Sequence, residues 1–170
     1  MNAVAKTVEP AEREARFDHI RPHYLEALTL VERLHRRLID VIKDEFDRRG
    51  RVDINAVQGL LLYNIGDKEL TAGDLSKRGY YLGSNVSYNL KKLVEIGFLD
   101  HQRSRLDRRS VRIKLTDKGR EVRDVVDALY GKHVRTVEQV GGINADEFGS
   151  LNKALHRLER FWTDQILYRL

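Results

Sequence analysis

Cysteine is absent from the 170 residues. The chain can therefore hold no disulfide, no zinc–thiolate centre and no thiol redox sensor of its own. No segment approaches the roughly 20 consecutive apolar residues of a membrane span. The first residues show no apolar run of signal-peptide length, so a cytoplasmic protein with no membrane partner is expected. Internal repeats and low-complexity tracts are missing too. So are the phosphate-binding loop, the nucleophile elbow and the dinucleotide fingerprint, and no acid/base constellation converges. An enzyme is not expected, and no cofactor is implied.

What is present is a 41% apolar chain, enough for a core, with 34% charged residues. Lys+Arg number 31 against 26 Asp+Glu, a formal net charge of +5 that favours an anionic partner. Residues Met1 to about Phe17 are polar, contain Pro10, and have no sustained period. They read as a flexible arm. From His19 to Arg49 apolar residues recur at helical spacing (Ile20, Tyr24, Leu28, Val31, Leu34, Leu38, Val41, Ile42, Phe46) up to a stop at Gly50. Asp53 is expected to cap a second helix carrying Ile54, Val57, Leu60, Leu61 and Ile65, closed by Gly66. A short extended piece, Lys68 to Leu70, follows.

Thr71 with Asp74 has a capping-box pattern and starts a short helix ending near Gly79. Ser84 is expected to cap the next helix, which ends at Gly97. Together these form a helix-turn-helix candidate. On a helical wheel Val86, Leu90, Leu93 and Val94 point inward. Ser84, Tyr88, Lys91 and Glu95 fall opposite, flanked by Asn85, Ser87 and Lys92, a face of donors, acceptors and positive charge suited to a major groove. A solvated helix face would have the same composition.

The hairpin that follows breaks the tie. Phe98–Ser104 and Ser110–Thr116 alternate as strands, with Val111, Ile113 and Leu115 inward. Between His101 and Lys114 the bases Arg103, Arg105, Arg108, Arg109, Arg112 and Lys114 face one acid, Asp107. The hairpin itself has too little acid to cancel that charge, and arginine suits phosphate and narrow minor grooves. The chain then returns to helix from Thr116 to about Val140, breaks at Gly141-Gly142, and restarts at an Asn144/Glu147 capping box into a last helix with Leu151, Leu155, Leu158, Trp162 and Ile166.

The run Asp107-Arg108-Arg109-Ser110-Val111-Arg112-Ile113-Lys114-Leu115-Thr116 resembles the wing signature of the MarR family (multiple antibiotic resistance regulators). The stretch from Asn85 to Leu99 resembles that family's recognition helix and its exit. The resemblance implies a homodimer with interlocked terminal helices, a recognition helix in the major groove and a wing in the neighbouring minor groove. Carried over by position, Arg109 is the minor-groove arginine and Asp107 the brace of the wing turn. Ser84, Asn85, Ser87, Tyr88 and Lys91 fall on recognition positions. The turn Gly79-Tyr80-Tyr81-Leu82-Gly83 departs from the family, which more often has a polar residue there, and which of the two tyrosines meets DNA stays open. The resemblance also implies a small anionic aromatic effector where lobe and dimerisation helices meet, with His19, Arg21, Tyr24 and Tyr63 as candidate liners.

His19 and His23 are one helical turn apart, but no third ligand is near, so no metal is implied. Trp162 is expected to anchor the dimer core. The fold expected is mainly α with a small β-hairpin wing: a winged helix-turn-helix with long N- and C-terminal dimerisation helices. It divides into an arm (1–18), a dimerisation helix (19–50), a DNA-binding lobe (51–117) and C-terminal dimerisation helices (118–170). The function expected is a homodimeric double-stranded-DNA-binding regulator of a palindromic operator, a repressor by preference, tuned by the effector. A ligand-independent architectural DNA binder and a winged-helix protein-interaction module are the alternatives.

Overall fold

The computed structural model describes residues 17–71, 74, 83–103 and 111–169. These fall into two compact units divided after Leu61. The first holds α1 (Arg21–Arg48) and the beginning of α2 (Ala56–Ile65). Proline in the first turn of α1 costs no hydrogen bond, because the N–H groups there have no helical partner. The helix ends where Gly50 takes a left-handed φ of 66° and Arg51 N–H donates to Phe46 O at 2.9 Å. Of its 28 residues only Ile42, Glu45 and Phe46, near the C-terminal end, are buried. The buried Glu45 carboxylate lies 2.7 Å from Arg49 and 3.1 Å from Arg48, which offsets its desolvation. Gly59 has no side chain because the Phe46 ring fills the space a Cβ would need.

The start of α2 corrects the expected cap. Asn55, not Asp53, sits at its N-terminus: Asn55 Oδ1 accepts from Gln58 N–H at 2.9 Å, and Gln58 Oε1 accepts from Asn55 N–H at 3.3 Å. Asn followed three residues on by Gln satisfies two orphan donors reciprocally, which Asp53 cannot do two positions upstream.

The second unit contains a three-stranded antiparallel sheet in the order β1 (Leu70–Thr71), β3 (Val111–Leu115), β2 (Leu99–Arg103). Leu70 pairs with Ile113, and His101 pairs with Ile113 from the other side. The capping box at Thr71 forms: Thr71 N–H and hydroxyl both donate to Asp74 Oδ2, at 2.9 and 2.7 Å, and Asp74 N–H donates to Thr71 Oγ1 at 3.0 Å. The rest of the short helix expected there, and the turn with Tyr80 and Tyr81, lie outside the described residues. Helix α3 spans Gly83–Glu95. Ser84 is therefore inside its first turn and is not its cap: the helix starts two residues earlier than a cap at Ser84 would set it.

Leu90, Leu93, Phe98, Ile113, Leu115, Val122, Val126 and Leu129 form the buried core of this unit. Helix α4 (Asp117–Gly141) is capped by Thr116, whose hydroxyl accepts from Gly119 N–H at 3.1 Å, and closes on Gly142 at φ 67°. Helix α5 (Ala145–Tyr168) begins at the Asn144/Glu147 capping box, formed in both directions. Burial on α4 stops at Leu129, and α5 has no buried residue. The fold is mostly helical with a small sheet, as the pattern of the chain implies.

Candidate nucleic-acid interface

Helix α3 has the amphipathicity expected of a reading helix. Leu90 and Leu93 are buried, and Val94 is half-buried. Ser87, Lys91, Lys92 and Glu95 are exposed, and Tyr88 is 69% exposed. Burying a tyrosine ring is worth about 2 kcal/mol, so one left on a polar helix face is a feature to explain. Ser84 and Asn85 belong to the first turn of the same helix. The apolar side is what fixes the helix, so the polar side is presented by default.

Beside α3, and between it and the sheet, lies an open groove of about 490 Å³. Leu90 and Ile113 form its floor, and Ser87, Lys91, Glu95 and His101 line its rim. Glu95 belongs to the outward face of the helix expected from the sequence, whereas His101 was not among the residues singled out for DNA contact. The signal was in the register: a strand residue opposite Ile113 shares its face. The groove makes α3 and the wing strands one continuous surface.

The charge of the wing is distributed less simply than its sequence suggests. Arg112 Nη1 lies 3.2 Å from Glu69 Oε2, an acid that precedes β1 and lies outside the hairpin. Lys114 has Asp100 as its cross-strand partner. The hairpin has too little acid of its own, and on the sheet's outward face Glu69 from before β1 and Asp100 at the start of β2 set acids opposite two of its bases. Arg103 ends β2, in register with Val111. Arg105, Asp107, Arg108 and Arg109 lie outside the described residues.

Two contacts hold the loop that leads into β1. Arg123 on α4 lies 2.7 Å from Asp67, and its Nε lies 2.7 Å from Asp124. The hydrogen bond that Arg123 donates to Asp67 raises the guanidinium pKa above its ordinary value. The second contact is Glu69–Arg112.

Of the proposed effector liners, His19, Arg21 and Tyr24 belong to the first unit and are exposed. Tyr63 belongs to the second, where its ring meets Tyr130 edge to face at 4.9 Å. Among the described residues no group of three or more His, Cys, Asp or Glu could hold a metal ion, and no helix is long and apolar enough to cross a membrane.

The amphipathic helix α3, followed by strands β2 and β3 that pair antiparallel and are joined by β1, has the arrangement of a winged-helix DNA-binding protein. Residues 54–119 match the family description "Winged helix DNA-binding domain". The chain is 34% identical over 145 residues to the exopolysaccharide II synthesis transcriptional activator ExpG of Rhizobium meliloti, covering 85% of this chain and 74% of that one. Among solved structures it resembles Streptococcus pneumoniae FabT in complex with DNA (TM-score 0.61, 24% identity, 83% of this chain and 98% of that one). It also resembles Bordetella bronchiseptica BpsR, described for regulation of its DNA binding by 6-hydroxynicotinic acid (TM-score 0.62, 18% identity, 79% and 98%). The chain belongs to the MarR family of winged helix-turn-helix transcription regulators. It is a DNA-binding transcription regulator and not an enzyme.

Proposed function

We propose that the protein acts as a homodimer on a palindromic operator, with α3 in the major groove and the wing in the adjacent minor groove. The observation that carries the assembly is α5: it is 24 residues long and amphipathic, with no buried residue. Leu151, Leu155, Phe161, Ile166 and Leu167 on α5 are exposed, as are Val134 and Val140 on α4. In the first unit Leu25, Leu30, Val31 and Leu34 on α1 are exposed as well. Each such side chain gains about 1.5–3 kcal/mol on full burial, and a second copy offers the matching surface. A two-fold axis then requires two half-sites about one helical turn (~10 bp) apart.

In this reading Ser84, Asn85, Ser87, Tyr88 and Lys91 meet base edges. Lys92, Arg103, Arg105 and Arg108 meet phosphates, Arg109 enters the minor groove, and Asp107 braces the wing turn. The domain division follows: arm, dimerisation helix, lobe, dimerisation helices. The preference for a repressor does not follow from the fold, since the Rhizobium meliloti relative is named an activator. The sign depends on where the operator lies relative to a promoter.

A small anionic aromatic effector completes the reading, supported by the ligand named for the Bordetella bronchiseptica protein. The exposed His19, Arg21 and Tyr24 offer a cation and ring faces for a carboxylate, and Tyr63 offers a further ring. An effector that prefers the DNA-incompetent form tenfold costs operator binding about 1.4 kcal/mol, and operator must weaken the effector equally. The test is footprinting of genomic DNA together with calorimetric titration of salicylate with and without the recovered operator. Paired protected half-sites and a weaker titration on DNA are expected. Uniform protection of all duplexes would overturn the operator reading, and identical titrations would overturn the effector reading.

A further inference from the structure

The carbonyl groups at the exit of α3 are held from the start of α4. Thr116 Oγ1 lies 2.8 Å from Gly97 O and 3.1 Å from Phe98 O. Thr116 N–H donates to Phe98 O at 3.2 Å. Lys118 Nζ donates to Ile96 O at 3.3 Å and stands 4.1 Å from the centroid of the Phe98 ring. Phe98 itself is fully buried, so the ring is a fixed point. Gly119 closes the contact, because a Cβ there would overlap the Phe98 carbonyl.

The chemistry of this junction is that of a helix C-terminus. The last carbonyls of a helix lack helical donors and carry the negative end of the dipole, so an ammonium is favoured there. The ring face adds a cation–π attraction. Lys118 thus touches the end of α3 through both its charge and its position, although it is 23 residues beyond Glu95, where α3 ends.

We propose that Lys118 is a positioning residue for sequence reading: it fixes the exit of α3 on α4 and so sets the angle at which α3 meets the bases. The proposal rests on the reading of α3 as the base-contacting helix. Geometry makes the exit sensitive. A 13-residue helix is about 20 Å long, so a tilt of about 5° at its C-terminus moves its first turn by about 1.7 Å. Base hydrogen bonds survive only within a few tenths of an ångström of about 2.9 Å. Phosphate attraction falls off far more gently with distance. Loosening this junction must therefore cost discrimination before it costs general affinity.

The experiment uses the full chain and two duplexes: one enriched by the parent protein from a random pool, and a scrambled one of the same composition. Lys118→Met keeps the aliphatic stem and removes the ammonium. Lys118→Arg keeps a cation and a donor. Lys118→Met is expected to lose about tenfold on the enriched duplex, the worth of one base contact. On the scrambled duplex it is expected to lose less than about twofold, with an unchanged salt slope. Amide exchange in residues 93–98 should quicken, and Lys118→Arg should restore both readouts. Equal losses on the two duplexes with a slope lower by about 0.9 would make Lys118 a phosphate contact and overturn the proposal. Unchanged discrimination would overturn it as well. Failure of the parent protein to enrich any duplex would overturn the reading of α3 first, and is recognised before any variant is made.

Discussion

Glu69 Oε2 lies 3.2 Å from Arg112 Nη1, so an acid that precedes β1 takes up a base on the central strand of the wing. Both side chains are about half exposed, so the pair is worth at most about 1 kcal/mol to stability. Its consequence is electrostatic. Arg112 is already compensated, and a compensated base releases few counterions on meeting DNA. Arg112→Ala is expected to leave the salt dependence of DNA binding nearly unchanged. Arg108→Ala should lower the slope by about 0.9, one phosphate contact. Binding isotherms over a salt series decide it, and equal slopes for the two variants would refute the assignment of the wing.

Packing at two glycines predicts opposite outcomes for one substitution. At Gly119 a Cβ would meet the backbone carbonyl of Phe98, which cannot turn aside. Gly119→Ala should lose about 1–3 kcal/mol in urea unfolding, the usual cost of overpacking. Nothing lies within 4 Å of a Cβ added at Gly149, inside α5. Gly149→Ala should gain about 0.5–1 kcal/mol from helix propensity.

Assembly is checked on α5. A charge at Leu155, which is exposed in the single chain and lies on the apolar stripe, should destabilise the dimer without unfolding the lobe. Sedimentation of Leu155→Glu at micromolar concentration is expected to show monomer with retained helicity, where the parent shows dimer. Parent protein that sediments as a folded monomer would end the dimer reading.

Oxidation gives a further check. With no cysteine, the chain offers peroxide only slow targets such as Met1 and Trp162. Mild hydrogen peroxide should leave the DNA-binding isotherm unchanged over minutes. A rapid and reversible release from DNA would contradict this.

The capping pair at the first turn of α2 carries a measurable share of stability. Asn55→Ala removes the acceptor of Gln58 N–H and should cost about 1 kcal/mol. Asp53→Ala should cost less, and thermal melts of the two variants rank them.

Local sequence settled most of the elements of this protein. The helical spacing of α1, α4 and α5, the capping boxes at Thr71 and Asn144, and the alternation of Val111, Ile113 and Leu115 are short-range signals, because each is decided within one or two turns of chain. The amphipathic face of α3 was legible for the same reason: burying Leu90 and Leu93 leaves Tyr88 and Lys91 outside. The start of α2 was misplaced because Asp53 and Asn55 are both good caps, and only the Gln58 side chain reaching back chooses between them.

Contacts between distant parts of the chain were decided only by the tertiary structure. Glu69 and Arg112 are 43 positions apart, and no periodicity in either segment says that the β1–β3 pairing brings them together. His101 joins the groove beside α3 because the strand register sets it opposite Ile113. Lys118 reads as an ordinary exposed helix residue until the fold lays the buried Phe98 ring and the Ile96 carbonyl beneath it. Spacing along a chain encodes which face a side chain takes, whereas its partner on another element is chosen by how the elements pack.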